Sequence, residues 1–410
     1  MNGREVNGRE VKGRAPPGQY GLDWHNFFVA NVQTGFGPFI AVYLSTQAWT
    51  QGQIGAALSV GTIAGMISQL PGGALVDALY NKRLAALAAC LAICVSAVML
   101  ALWPHWLPVL GAEVLHGFAS AMLPTAIAAM SLALVGRRAL GERLGRNARF
   151  AALGNGVAAG VMGAVGSYVS EVAVFYLTAA LMLPAMAALR AIPPGRVHLP
   201  VPRAAQSDGW RDALRLLLGW RVLVFAGCVL LFHLSNAAML PLVAGEVTRS
   251  LGSQASVVIA ACIVLPQLLV ALASPFIGRA ADRWGRRPVL LFTFSALPVR
   301  GALLALVAGP VPLVLVQMLD GISAAGFGVM VPLMAADLTR GTQRFNLCMG
   351  LFGLATGLGA TVSTLLAGEI ADAHGNASAL FALAAAGLAS VLLVLAALPE
   401  TRPMLKEVQA

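Results

Sequence analysis

The chain has 410 residues, of which 58% are hydrophobic and only 11% are charged, and its formal net charge is +10 at pH 7. Soluble globular chains contain about 25% charged residues, so this chain has too few polar groups to solvate a folded exterior in water. All five cysteines fall within apolar runs, which excludes a disulfide framework and favours core positions over metal ligation.

The chain begins with a polar tail over residues 1–22 that contains no apolar stretch able to serve as a signal peptide. We expect this tail to be disordered. A membrane-spanning helix needs about 20 apolar residues. Twelve stretches meet this requirement: 26–46, 51–77, 84–103, 106–135, 147–171, 172–192, 219–245, 254–279, 288–308, 311–337, 345–371 and 376–398. The sequence therefore predicts an all-α integral membrane protein with twelve transmembrane helices.

The longest polar interruption after the tail lies over 193–218 and begins with Pro193-Pro194-Gly195. It divides the twelve spans into six and six, and its last part, 208–218, is expected to form a short interfacial helix. The predicted organisation is a cytoplasmic tail over 1–22, a six-helix bundle over 23–192, a cytoplasmic central loop over 193–218, a second six-helix bundle over 219–398 and a cytoplasmic tail over 399–410.

Lysine and arginine are concentrated in alternate connections between the spans. The segments 46–51, 103–106 and 308–311 contain neither residue. Of the 27 lysines and arginines, only Arg249 and Arg300 lie outside the opposite set of loops and the termini. Because basic residues accumulate in cytoplasmic loops, both termini are predicted to be cytoplasmic, in the inner membrane of a cell. The positive charge thus indicates topology and contact with lipid headgroups, and not a nucleic-acid site.

The two groups of six spans match each other at a nearly constant offset. Pro38 matches Pro241 at an offset of 203, and the later matches keep the same order along the chain. These are Pro71 with Pro275 (204), Asp77 with Asp282 (205), His116-Gly117 with Asp320-Gly321 (204), and Gly154 and Gly156 with Gly357 and Gly359 (203). The sequence therefore predicts a repeat, and parallel repeats of six helices place a central cavity at their interface.

The loop after the eighth span has a recognisable pattern, Gly278-Arg-Ala-Ala-Asp282-Arg283-Trp-Gly285-Arg286-Arg287. The matching loop after the second span keeps Gly73, Asp77, Lys82 and Arg83 but has Tyr80 where the second glycine is expected. Recurring at the half-repeat spacing, these loops resemble the cytoplasmic loop signature of the major facilitator superfamily. The resemblance covers all twelve spans and implies two pseudo-symmetric six-helix bundles that work by alternating access.

The resemblance also implies that these loops form a gate that holds the cytoplasmic face shut in one state. We expect the Asp282 carboxylate to accept hydrogen bonds from a helix N-terminus or from arginines. Gly278 permits close approach of helices, and Gly285 supplies the turn. The candidate gate residues are Gly73, Asp77, Lys82, Arg83, Gly278, Asp282, Arg283, Gly285, Arg286 and Arg287. The alternative is an ordinary positively charged loop with a turn glycine.

Ionisable residues at membrane depth are costly, which makes them functional candidates. Glu113 and His116 lie three residues apart in the fourth span and share a helix face, and Gln317 and Asp320 take the matching places in the tenth. In the family that the chain resembles, spans 1, 4, 7 and 10 line the cavity. We therefore propose Glu113, His116 and Asp320 as proton-coupling residues; the alternative is fixed polar contacts between helices. The family often carries arginine where this chain has Glu113, so its usual relay does not transfer.

Polar residues of the first, seventh and tenth spans are candidates for the substrate cavity. They are Asn31, Gln33, His233, Asn236 and Gln317. The alternative is hydrogen bonding between helices. Arg300 lies about 18 Å into the ninth span counted from residue 288, at about 1.5 Å per residue. That span is peripheral in the family, so we expect Arg300 to snorkel outward, with pairing to an acid as the alternative.

The predicted function is secondary active transport of a small molecule, with proton-coupled efflux by antiport as the first expectation. Import of a carboxylate or siderophore-like solute is the alternative, because the fifth span lacks the proline that the efflux branch often carries. A receptor or a membrane-embedded enzyme is less expected, since the sequence shows no long soluble domain and no catalytic cluster. The lack of a P-loop argues against coupling to ATP. We expect no enzyme activity, cofactor or metal, and a monomer whose partners are a small-molecule substrate, protons and the lipid bilayer, without nucleic acid.

Overall fold

The structure, a computed structural model, describes residues 18–30, 37–193, 195, 209–251, 255–342 and 344–402. Fifteen α-helices follow one another along these residues: α1 (Gln19–Val29), α2 (Gly37–Thr46), α3 (Gln51–Ala78), α4 (Lys82–Leu102), α5 (Trp106–Val135), α6 (Leu140–Tyr168), α7 (Glu171–Arg190), α8 (Gly209–Leu217), α9 (Trp220–Asn236), α10 (Met239–Leu251), α11 (Ala255–Trp284), α12 (Arg286–Leu306), α13 (Pro310–Leu338), α14 (Phe345–His374) and α15 (Asn376–Ala397).

Eleven stretches of helix among the described residues are long and apolar enough to cross a membrane, and one of them, Trp220–Ala244, runs through α9 into α10. The helices α1 and α2 occupy the range predicted for the remaining span, on either side of residues 31–36. Eleven of the twelve predicted spans are thereby confirmed as single membrane-length stretches, and the first is described only as α1 and α2. The short helix predicted near the end of the central segment is present as α8.

The start of the first helix and the course of the seventh span differ from the predictions. The first helix begins at Gln19, inside the range assigned to the tail, because Leu22 and Asp23 are fully buried against the rest of the bundle. The seventh span is not continuous: α9 ends at Asn236, and the backbone N–H of Ala238 donates to Ser363 Oγ at 3.1 Å. Residues 1–17, 196–208 and 403–410, the outer parts of the predicted tails and central loop, lie outside the described residues.

The helices form two bundles, α1–α7 and α9–α15, and the apolar core of the second bundle extends into α5 and α6 of the first. In the first bundle α3 and α4 pack on α5, and in the second α11 packs on α13 and α12 packs on α15. Buried side chains such as Ile93 and Phe175 fill the first core, and Phe225, Phe294 and Phe352 fill the second. The bundles are joined mainly by α6 with α11 and by α3 with α14, and also by α6 with α13 and α5 with α14. The fold is therefore the predicted pair of pseudo-symmetric six-helix bundles.

The loops rich in lysine and arginine, between α3 and α4, α5 and α6, α11 and α12, and α13 and α14, lie at one end of the molecule, here called the basic end. Between α11 and α12 the turn is made by Gly285 at φ +107°, a backbone conformation that favours glycine. The sequence comparison placed Tyr80 opposite Gly285, but the structure places Asn81 there, because Asn81 and Gly285 each directly precede the next helix. Asn81 has φ −101°, and its side chain caps α4 by accepting from the Arg83 N–H. The first loop therefore turns without a second glycine.

Candidate functional site

The first contact between the bundles joins the end of α3 to the start of α14. The Asp77 carboxylate accepts from the backbone N–H of Asn346 at 3.0 Å, from Asn346 Nδ2 at 2.7 Å and from the N–H of Leu347 at 2.8 Å. Gly73 lies one turn earlier, where a Cβ would stand 2.2 Å from the Asn346 carbonyl oxygen. A helix start offers N–H groups without intrahelical partners and a partial positive charge. We call this contact the Asp77 clasp.

The second contact repeats this arrangement with the roles of the bundles exchanged. Asp282, near the end of α11, accepts from the backbone N–H of Glu142 in the first turn of α6 at 3.0 Å. Gly278 packs backbone to backbone on α6, since a Cβ on it would lie 2.1 Å from the Gly141 carbonyl oxygen. Arg286 Nη1 also donates to Asp282, at 3.2 Å. The helix N-terminus expected as a partner of Asp282 is present in this contact, which we call the Asp282 clasp.

Lys82 and Arg286 match in the repeat (82 + 204 = 286) and both hold the end of the preceding helix. Lys82 Nζ donates to three carbonyl oxygens at the end of α3, at 2.6, 2.8 and 3.1 Å. Arg286 Nη1 donates to the Ala281 carbonyl at 2.7 Å, and its Nε donates to Asp337 at 2.8 Å. These two cations therefore position the clasp carboxylates from within their own halves.

The three outer basic residues of the loops make their described contacts within their own half. Arg83 Nη1 donates to the Ile192 carbonyl at 2.7 Å, and Arg287 Nη2 donates to the Leu395 carbonyl. Arg283 is exposed. The structure thus brings the two aspartates and their glycines to the boundary between the halves, and it leaves these arginines away from it.

The contacts between the halves extend from the clasps along α3 and α14, where Gly357 faces Met66. A Cβ on Gly156 or Gly160 of α6, or on Gly55 of α3, would meet no described atom within 4 Å. The hydroxyl side chains of Thr62 in α3 and Thr361 in α14 are exposed in the same region. The described contacts between the halves therefore lie toward the basic end, which the two clasps close.

The second half contains an ion pair at membrane depth. Arg300 of α12 is buried, with 1% of its side chain exposed, and its Nη1 donates to the Asp320 carboxylate of α13 and to Asn236 Oδ1, the latter at 2.7 Å. The Asp320 side chain is 25% exposed. The cluster thus joins α9, α12 and α13, and one of its ionisable members, Asp320, is partly exposed at the protein surface.

The expectation that Arg300 snorkels outward is wrong. Its side chain lies on the face of α12 that packs inside the bundle, where the next residue, Gly301, stands against Met239 and Ala384. An arginine buried there needs a counter-charge, and Asp320 supplies it. The sequence alternative, pairing with an acid, is the arrangement that the structure contains.

Glu113 and Gln317, which match in the repeat, are both buried. Glu113 points at α3 of its own half, where its Oε2 stands 2.0 Å from the place that a Cβ on Gly61 would take. Among the described residues, Glu113 Oε1 and both polar side-chain atoms of Gln317 have no hydrogen-bond partner. Glu113 is thus enclosed between α3 and α5 of one half.

The two predicted histidines lie partly buried. His116 Nε2 lies 3.1 Å from Ser120 Oγ, one turn along α5. The His233 ring stands edge-on to Phe327 of α13, with ring centroids 4.6 Å apart. Asn31 and Gln33, the cavity candidates of the first span, lie outside the described residues.

A buried polar network in the first half was missed by sequence reasoning. Asp23 of α1 is fully buried and accepts from Arg143 Nη2 at 2.5 Å and from Arg146 Nε at 2.8 Å. Asn147 joins the network by accepting from Arg143 Nε at 2.9 Å and from Asn26 Nδ2 at 3.3 Å. The network ties α1 to α6 at the basic end. The available signal was Asp23 itself, an acid just before an apolar span.

Comparison with known proteins gives a consistent result. The sequence profile described as Major Facilitator Superfamily matches residues 25–265 and 225–409. An uncharacterized MFS-type transporter of Mycobacterium tuberculosis, found in two strains, is 36% identical over 387 residues, 93% of either chain. Shorter matches are the class B tetracycline resistance protein of Escherichia coli, 32% identical over 26% of each chain, and Multidrug resistance protein 1 of Bacillus subtilis, 31% identical over 36% of this chain and 38% of its own.

Solved structures with the same fold include the human organic anion transporter TETRAN, with a TM-score of 0.72 over 93% of this chain and 100% of that one. The E. coli fucose:proton symporter gives a TM-score of 0.74 over 92% of this chain and 97% of its own. Both are 14% identical in sequence, so this likeness shows the fold alone.

Proposed function

The chain belongs to the Major Facilitator Superfamily and is a transporter of that family, and we propose that it exports a small organic compound in exchange for protons. In the proposed cycle the two halves rock about a site between them, so that the passage opens at one end while it closes at the other. The state with the basic end closed is one of the two end states of this cycle.

The observation that carries the proton coupling is the cluster of Asp320, Arg300 and Asn236. Asp320 is partly exposed while Arg300 is buried, so a proton has access to the carboxylate and not to the guanidinium. When Asp320 takes up that proton, its negative charge is lost and its hold on Arg300 weakens, while Asn236 stays as the neutral partner. Three helices of the second half meet at this cluster, so one proton changes the contacts among all three.

Glu113 is the runner-up for the proton site. It is a carboxylate enclosed at membrane depth, with no described hydrogen-bond partner for Oε1, and such residues are functional candidates by default. Glu113 is enclosed between α3 and α5, whereas the Asp320 side chain is partly exposed. We therefore assign the coupling role to Asp320 first and test Glu113 beside it.

The direction and the substrate class rest on the named relatives. The two shorter matches are proteins named for resistance to tetracycline and to multiple drugs. Export of an amphipathic organic compound fits those names. Import of a small organic solute is the alternative, and the substrate screen described below distinguishes it from export.

We place the basic end in the cytoplasm of an inner-membrane protein with both termini inside, because basic loops stay on the cytoplasmic side. The opposite end then faces the outside. The gate consists of the two clasps, and one chain suffices for the cycle because both halves are in it. Reporter fusions at each terminus test this placement: active cytoplasmic reporters support it, and an active exported reporter at either end contradicts it.

The experiment combines a substrate screen with proteoliposomes. A deletion strain that becomes more sensitive to a compound and accumulates it indicates export, and a strain that fails to take up a solute indicates import. In vesicles that contain the purified protein, Asp320→Asn should abolish flux driven by a pH gradient while exchange of substrate across the membrane continues without the gradient. Asp320→Glu is the matched control and should keep part of the driven flux.

Two results would overturn the assignment. If Asp320→Asn keeps gradient-driven flux and Glu113→Gln loses it, the proton site is Glu113. If both variants keep it, the transport is not coupled to protons through either carboxylate.

A further inference from the structure

A pocket of about 430 Å³ lies on the outer surface of the first half, between the start of α4 and the end of α7. Its wall includes Arg83, Leu84, Leu87, Leu183, Met186 and Arg190. The pocket belongs to neither clasp and is separate from the Asp320 cluster. Because it opens toward the surface that the bilayer covers, its natural occupants are lipids.

The pocket is polar at one end and apolar along its length. Arg83 and Arg190 lie at the basic end, and the wall continues to Leu183, seven residues or about 10 Å deeper into the membrane span. Leu84 and Leu183 are 53% and 61% exposed. This gradient matches a phospholipid, which has a charged headgroup at the membrane surface and acyl chains below it.

The two arginines carry positive charge that no described residue neutralises there. Among the described residues, no acid lines the pocket. Arg83 donates one hydrogen bond to the Ile192 carbonyl oxygen. Arg190 is exposed and has no hydrogen-bond or ion-pair partner among the described residues. The sequence contains no acid between Glu171 and Asp208. The pocket therefore favours an anion from outside the chain.

In the second half, a carboxylate of the chain itself binds at the start of the helix that corresponds to α4. Arg287 matches Arg83 (83 + 204 = 287), and beside it Glu400 accepts from the backbone N–H groups of Arg286 at 2.8 Å and Arg287 at 3.1 Å. The second half thus supplies its own carboxylate to the start of α12. At the repeat offsets of 203 to 205, Glu400 corresponds to Val197, Arg196 or Gly195 in the first half, and none of these is an acid.

We propose that this pocket binds an anionic phospholipid, with its headgroup phosphate on Arg83 and Arg190 and an acyl chain along Leu84 and Leu183. Arginine suits this role because its planar guanidinium forms paired hydrogen bonds with phosphate oxygens. Basic pockets between transmembrane helices are a recurrent form of site for anionic headgroups. The net negative charge of the headgroup distinguishes the occupant from a zwitterionic lipid.

Native mass spectrometry of the full chain in detergent tests the proposal, with phosphatidylglycerol and phosphatidylcholine of equal chain length added in turn. The wild type should retain phosphatidylglycerol in preference to phosphatidylcholine. Arg190→Gln should weaken this binding about five-fold, the effect expected for one basic residue near a lipid surface. Arg138→Gln is the matched control, since it removes the same charge from an exposed arginine at the basic end that does not line the pocket.

Two competitors separate a lipid site from a free-anion site. Inorganic phosphate and glycerophosphoglycerol, which lacks acyl chains, should not displace the lipid, and Leu183→Gln should weaken binding although no charge changes. Displacement by millimolar phosphate, equal retention of the two lipids, or equal losses in Arg190→Gln and Arg138→Gln would each overturn the proposal. Unchanged unfolding temperatures without added lipid establish that the variants are folded.

Discussion

Replacing Gly73 by alanine perturbs the closed basic end at a single atom. The new Cβ would stand 2.2 Å from the Asn346 carbonyl oxygen, 2.8 Å from its carbonyl carbon and 3.1 Å from Leu347 Cα. All three neighbours are backbone atoms of α14, so no side chain can turn aside. The helices α3 and α14 must therefore part before the alanine fits.

The size of the effect follows from these distances. A carbon and a carbonyl oxygen approach to about 3.3 Å in close contacts, so the two backbones must separate by about 1 Å. The hydrogen bonds of the Asp77 clasp, now 2.7–3.0 Å, would then exceed hydrogen-bonding distance. Overpacking of this kind costs about 1–3 kcal/mol, which lowers the population of the closed state about 5–150-fold relative to the state open at the basic end.

Distances between spin labels at Arg138→Cys and Arg340→Cys measure this shift, because both positions are exposed at the basic end and belong to different halves. Of the five native cysteines, four are buried and Cys94 is partly buried, which limits background labelling. The Gly73→Ala protein should show a longer and broader distance distribution and slower transport. Gly55→Ala is the control in the same helix, since its Cβ meets no described atom within 4 Å.

The reasoning is refuted if the Gly73→Ala protein gives the label distances and the transport rate of the Gly55→Ala protein. That result would mean that α3 and α14 do not touch in the closed state as the structure has them.

Three further variants test other contacts. Asp282→Asn removes the charge that binds the Glu142 N–H, so kcat should fall several-fold while KM stays nearly constant, in a transport assay at varied substrate concentration. Glu400→Gln should lower the unfolding temperature at neutral pH: burial acts to raise the pKa of Glu400, but hydrogen bonds from backbone N–H groups outweigh it and lower that pKa below the ordinary 4.5. Its stabilisation is thus present above about pH 4.5 and lost as pH falls through the lower folded value. Asp23→Asn leaves Arg143 buried without its carboxylate and should destabilise the protein by about 3–5 kcal/mol, measured by unfolding in detergent.

For each of these variants, one result would contradict the prediction. For Asp282→Asn it is a raised KM with an unchanged kcat. For Glu400→Gln it is an unfolding-temperature difference from wild type that stays constant as the pH falls. For Asp23→Asn it is a loss that simply adds to that of Arg143→Gln in the double variant, since coupled partners should give less than the sum.

The spans and the repeat were predictable because lipid imposes a length and a composition on every crossing helix, which a linear sequence displays directly. The clasp at Asp282 was predictable in kind, since an acid at the end of a helix with a nearby helix start has an evident partner. What the sequence did not contain was the identity of that partner: Glu142 lies 140 residues away, and only the packing of α6 on α11 brings the two together.

The polar residues inside the bundles were harder to place, because their roles depend on helix rotation. Arg300 and Asp320 lie in consecutive spans, so a pairing was open to inference, but which face of α12 turns inward is decided by its packing. Glu113 was expected to face the cavity. Its direction is set by Gly61, whose missing side chain leaves room for a carboxylate between α3 and α5.

In each clasp a carboxylate of one half meets a helix start of the other, and the second clasp exchanges the halves. Two copies of a half-length chain related by a two-fold axis would form the same reciprocal pair of contacts. The two clasps lie on either side of that axis. When one half tilts so that one clasp is stretched, the helices of the other clasp must slide past each other. We therefore expect both to release together, so that the passage switches in a single step and does not narrow gradually.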